Sequence, residues 1–112
     1  PENNYAYEFK KLMELHINEK QRVSEYASIL DVSRITLNKA VQAQFGITAT
    51  HLLKQRLLFE IKNFLLHTQL TVAEIAHLLH FSEPNHLMRF FKTQTGQTIT
   101  AFLANYQNGS IK

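Results

Sequence analysis

Residues 72–92, VAEIAHLLHFSEPNHLMRFFK, decide how the rest of the chain is read. Thr71 stands before them and Glu74 three residues on. That is the spacing of a capping box, in which the threonine hydroxyl takes one orphan amide and the glutamate reaches back to the cap. Ile75, Ala76, Leu78 and Leu79 then recur at helical spacing. The run from His80 to Pro84 interrupts the pattern. Ser82 is a candidate N-cap for a second helix, and Pro84 falls in its first turn, where a missing N–H costs nothing. Leu87, Phe90 and Phe91 mark the inner side of that helix. Asn85, Met88, Arg89 and Lys92 mark its outer side, again at i, i+3, i+4 and i+7.

The stretch has an upstream copy. Val23, Glu25, Ala27, Leu30 and Ser33 lie 49 positions before Val72, Glu74, Ala76, Leu79 and Ser82. After one extra residue in the second turn the offset becomes 50. Leu37, Gln44, Gly46, Thr48, Thr50 and Leu53 then match Leu87, Gln94, Gly96, Thr98, Thr100 and Leu103. Identities in one register with a single gap indicate two structural units of one kind. Each reads as a short helix, a tight turn and a second helix with a polar, basic outer stripe. This is a helix-turn-helix, whose second helix suits a DNA major groove.

These residues resemble the C-terminal DNA-binding domain of the AraC/XylS transcription regulators. The likeness rests on Glu74-Ile75-Ala76 with Leu79, on the run from Phe81 to Lys92, and on Gly96 with Thr98. It extends from about Phe9 to Tyr106. The resemblance implies two helix-turn-helix subdomains joined by a long helix, each placing one helix in the major groove. It further implies a bacterial regulator, mostly an activator, able to touch RNA polymerase. Ile99 stands where family members usually carry proline, and Asp31 and His80 stand where they usually carry glycine.

Composition agrees with an all-α domain. The 112 residues are 45% hydrophobic, enough for a core, and three glycines and two prolines leave few breaks in the helical patterns. The net charge of +3 is weak evidence alone, but its distribution is informative. From Arg34 to Lys92 there are seven cations against three acids, whereas Pro1 to Glu19 holds four acids and two lysines. The positive charge therefore belongs to the repeat. No cysteine is present, which removes disulfides, thiolate metal sites and a cysteine nucleophile. No apolar run reaches the roughly 18 residues of a membrane span, and no signal peptide is visible, so a cytoplasmic location is expected. The chain starts at Pro1 without Met, so a sensory or dimerisation domain is expected to lie outside it.

In chain order, Pro1–Asn4 and Asn108–Lys112 read as loose ends. Tyr5, Phe9, Leu12, Met13, His16 and Ile17 share one side of a first helix. Val23–Leu30 opens the first motif with Arg22 where the second has Thr71, so a poorer cap is expected there. Asp31 and His80 tolerate the left-handed backbone that such turns need. Gly46 and Gly96 close the two recognition helices. The pattern over residues 50–67 is apolar on more than one side, as a connecting helix requires. The expected architecture has about seven helices, a homeodomain-like pair. Residues 5–49 form the first helix and first helix-turn-helix, 50–67 the linker helix, and 68–107 the second helix-turn-helix.

The outer stripes nominate the contacts. Ile35, Asn38, Lys39 and Gln42 form the first, and Asn85, Met88, Arg89 and Lys92 the second. Asparagine can read adenine, and arginine or lysine can read guanine. Ile35 and Met88 fit thymine methyl groups, unless Ile35 packs against the preceding helix. His86 flanks the second stripe. Base contacts are thus expected from Ile35, Asn38, Lys39, Asn85, His86, Met88 and Arg89. Phosphate contacts are expected from Ser33, Arg34, Thr36, Gln42, Ser82 and Lys92, with Gln44 a weaker candidate. Lys54, Arg56 and Lys62 read as a solvated or salt-bridged face.

The sequence leaves two other readings open. His77 and His80, with Glu74 and His86 nearby, have a spacing that could hold zinc, but His80 sits in the turn and the HExxH order is missing. No metal, cofactor or catalytic role is expected. The repeat alone would also permit a helical protein-interaction module without DNA binding, against which the basic outer stripes argue. Double-stranded DNA is the expected partner, bound through successive major grooves about 34 Å apart.

Overall fold

The computed structural model describes residues 4–109, and among them it contains seven α-helices and no strand. They are α1 (Tyr5–His16), α2 (Val23–Leu30), α3 (Arg34–Phe45), α4 (Ala49–His67), α5 (Val72–Leu78), α6 (Pro84–Thr95) and α7 (Ile99–Gln107). The fold is all-α with two helix-turn-helix motifs, α2–α3 and α5–α6. The chain divides into two compact units, and the division falls between Leu57 and Leu58, inside α4. The 19 residues of α4 therefore are not a separate linker. At about 1.5 Å per residue they extend roughly 28 Å, half in each unit.

In the first unit α1 packs against both α2 and α3, and α2 against α3. Phe9 and Met13 of α1, Tyr26 and Ala27 of α2, and Leu37 and Val41 of α3 are buried. Phe9 and Tyr26 meet edge to face, centroids 5.2 Å apart, the arrangement that the ring quadrupoles favour. Tyr26 satisfies its buried hydroxyl by donating to the Lys20 carbonyl at 2.8 Å. Burial, aided by Glu25 and Glu19, pushes its ionisation up to about 12. Glu14 of α1 accepts two hydrogen bonds from Arg56 of α4, at 2.8 and 3.1 Å. That guanidinium holds the Glu14 carboxyl below its usual range. Arg56 is thus salt-bridged within the unit, as its sequence position suggested.

In the second unit α6 packs against α5 and α7. Ile75, Ala76, Leu79, Leu87, Phe91, Ile99 and Phe102 form its core with Ile61 of α4. Phe91 and Phe102 meet edge to face at 5.3 Å. Lys62 of α4 lies 5.5 Å from the centre of the Phe102 ring, where the aliphatic stem and the cation are both accommodated. Ile99 begins α7, where a proline would also be tolerated, but its side chain is buried. Leu78, read from spacing as a core residue, is 44% exposed. The buried stripe runs through Ile75, Ala76 and Leu79, and Leu78 falls to one side of it.

The ends of the elements differ from the sequence reading in places. Asn4 is not loose: its side chain accepts from the Tyr7 amide at 3.3 Å and caps α1. Asn108 and Gly109 close α7 by donating to Ala104 and Tyr106 carbonyls. The other expected loose residues, 1–3 and 110–112, lie outside the described residues.

Candidate nucleic-acid interface

Both motifs are built by the same turn. Asp31 and His80 adopt left-handed backbone, with φ of 58° and 63°. The next residue then donates back to the alanine of the first helix: Val32 to the Ala27 carbonyl at 3.0 Å, Phe81 to the Ala76 carbonyl at 2.9 Å. This six-to-one bond is the signature of a Schellman closure, normally a glycine position. Both alanines are 2% exposed, so a larger side chain at either position would have to be taken into the core.

The two recognition helices start differently. Ser33 caps α3, accepting from the Thr36 amide at 3.0 Å. The corresponding reading of Ser82 fails. The extra residue in the second turn shifts the cap to Glu83, whose side chain makes no cap bond, and Pro84 becomes the first helical residue. Ser82 Oγ instead lies 2.6 Å from His86 Nδ1, so the serine and the histidine orient one another on the exposed surface. At the first motif, Arg22 offers α2 no side-chain cap, as expected, while Glu25 still accepts from the Arg22 amide at 3.2 Å. Thr71 and Glu74 make the full reciprocal box, at 3.1 and 2.8 Å.

Both helices end in the same way. Gly46 and Gly96 each take φ of 81°, which a side chain would strain. Thr48 and Thr98 follow at once and cap the next helices, α4 and α7, at 3.1 and 3.0 Å.

The outer stripes are solvent-exposed with one exception. Ile35, Lys39 and Gln42 on α3 are exposed, as are Asn85, His86, Met88, Arg89 and Lys92 on α6. Ile35 is 60% exposed and Met88 42%, so Ile35 does not pack against the preceding helix. Ser33, Arg34, Thr36, Gln44 and Ser82 are also exposed. The exception is Asn38. It is half-buried, and its Oδ1 accepts from the Thr50 amide at 3.1 Å, at the start of α4. Adenine recognition needs both the oxygen and the nitrogen of the amide, and here the oxygen serves the neighbouring helix. Asn38 therefore fastens α3 to α4 rather than standing in the outer stripe. The repeat held a signal of this: the partners matching Asn38 and Thr50 are Met88 and Thr100, a pair that cannot make the same bond. Gln42 is also engaged, donating to the Gly46 carbonyl at 3.2 Å.

Both recognition helices are net positive. Neither α3 nor α6 contains an acidic residue, whereas they carry Arg34, Lys39, Arg89 and Lys92. Among the described residues, no three histidine, cysteine or carboxylate side chains are grouped to hold a metal ion. His77 and His80 are both exposed. No helix among the described residues is long and apolar enough to cross a membrane.

The model of a family described as a helix-turn-helix domain matches residues 26–105. Among solved structures, the DNA-binding domain of AdpA, a global transcriptional factor solved in complex with a target DNA, has a TM-score of 0.78. It is 22% identical, over 95% of this chain and 96% of that one. The C-terminal domain of the two-component response regulator yesN from Fusobacterium nucleatum also has a TM-score of 0.78. It is 26% identical, over 89% of this chain and 98% of that one. An AraC-type regulator from Chromobacterium violaceum has a TM-score of 0.73 at 21% identity, over 90% of each chain. No curated protein matches the sequence.

Proposed function

The chain belongs to the AraC-type helix-turn-helix family, and from that premise we propose that it is the sequence-specific DNA-binding part of a transcription regulator. Each unit lays its second helix, α3 or α6, in a major groove of double-stranded DNA. One observation carries the reading: the two exposed helices that end the motifs are free of acids and hold cations at matching positions, Lys39 and Arg89. A cation at that point can donate to the acceptor edge of guanine. Asn85 is placed to read adenine from α6, while α3 relies on Ile35 and Lys39. Arg34, Thr36 and Lys92, with Ser33, Gln42 and Ser82 beside them, serve phosphate oxygens. His86, oriented by Ser82, flanks the bases read by α6.

Two unlike stripes on one chain call for an asymmetric site that spans successive major grooves. Affinity measured against salt tests the proposal. Phosphate contacts from the two cations Arg34 and Lys92 alone would give a slope of log K on log salt of about −2. A slope near zero would remove the DNA reading. Activation through RNA polymerase extends the same proposal. Transcription in vitro from a promoter carrying the selected site should rise with the protein present, and unchanged output would confine the proposal to DNA binding.

A further inference from the structure

The two recognition helices carry the same pair of chemistries in swapped order. The second residue of α3 is Ile35 and the fifth is Asn38. The second residue of α6 is Asn85 and the fifth is Met88. The sixth is a cation in both. The structure separates the two amides: Asn38 is committed to Thr50, while Asn85 stands exposed. It leaves both apolar side chains in solvent, Ile35 at 60% and Met88 at 42% exposure. Isolated apolar residues on a surface need no explanation by themselves. These two, however, sit within basic stripes: Ile35 follows Arg34 and lies one turn before Lys39, and Met88 adjoins Arg89. The thymine 5-methyl is the apolar group displayed on the floor of a major groove.

Resting on the DNA-binding reading above, we infer that each unit reads a thymine methyl group, through Ile35 in the first and Met88 in the second. The first unit then specifies its bases by one methyl contact and one cation. The second adds the Asn85 amide and so is the more selective of the two. Uracil pairs as thymine does and lacks only the methyl, which makes it the probe of choice.

The test uses the full chain and a duplex selected by it from random DNA, with each thymine replaced in turn by uracil. Losing one buried methyl should weaken binding about fourfold. At least one sensitive thymine is expected for each unit. Ile35→Ala should abolish the sensitivity at one of them and Met88→Ala at the other. Both side chains are exposed, so neither substitution disturbs a core. Indifference to uracil at every position, with salt dependence retained, overturns the methyl reading and leaves the DNA-binding proposal standing. Sensitivity that persists in both variants overturns the assignment to Ile35 and Met88. Absence of salt-dependent duplex binding overturns the DNA-binding proposal and this inference together.

Discussion

Substituting Ala76 by leucine should spoil the second unit where its motif is tightest. Ala76 is 2% exposed on α5, and its carbonyl receives the Phe81 amide at 2.9 Å, so backbone as well as side chain is fixed there. Leucine adds three carbons to a buried site. The Thr71–Glu74 box and the left-handed His80 keep both ends of α5 ordered, so the helix meets the added bulk as a unit. Overpacking of this kind costs about 1–3 kcal/mol. For a unit of this size each kcal/mol lowers the melting temperature by roughly 4–8 °C. A cost near 2 kcal/mol thus predicts a fall of roughly 8–16 °C. Ala73→Leu is the control, since Ala73 is exposed on the same helix and leucine is nearly as good a helix former as alanine. Thermal unfolding followed by circular dichroism compares the two. The surviving folded fraction should also bind DNA less tightly, because α6 is re-aimed when its crossing with α5 opens. If Ala76→Leu melts with Ala73→Leu, the alanine is not at a close crossing and the reasoning fails.

Three further outcomes are expected. Asn38→Ala should lower stability by about 1 kcal/mol through loss of the bond to Thr50, yet leave base preference as it was. A changed preference in a binding-site selection would return Asn38 to the reading surface. Lys39→Ala and Arg89→Ala should each cost about 1–3 kcal/mol of discrimination at separate base pairs, and Lys92→Ala should weaken all sequences alike and reduce the salt slope by about one. Base-preference profiles on one DNA library check this, and coincident changes for Lys39 and Arg89 would defeat the division of labour. Finally, Tyr26 ionises near 12 when folded and near 10 when unfolded. Its folded value is raised, so the stabilisation is complete below pH ~10 and is lost as pH climbs towards ~12. Tyr26→Phe should show a shallower loss of stability over that window in denaturant titrations, and an identical loss would show that the hydroxyl does not contribute.

Much of this architecture was written in local signals. The capping box at Thr71 and Glu74, the glycines at 46 and 96 and the 3.6-residue periodicity act within a few residues of themselves, and their outcomes follow from neighbours in the chain. The repeat then fixed the kinship of the two motifs, and the tolerance of Asp31 and His80 for left-handed backbone preserved the turn without glycine. The extra residue of the second turn was also visible, but its effect was not. It moved the cap from Ser82 to Glu83 and released the serine to His86, a choice set by the path of the whole turn.

What the sequence alone determined is therefore the helical class, the doubled motif and the basic face each motif offers. Periodicity assigns a residue to a side of its own helix and is blind to the helix that arrives beside it. Tertiary structure decided the rest: that Leu78 stands in solvent, that α4 is shared between two units, and that Asn38 turns from the outer stripe to Thr50. The last of these depends on a residue twelve positions away. An amide buried near a helix start gains a hydrogen bond there that it would otherwise have to find in water.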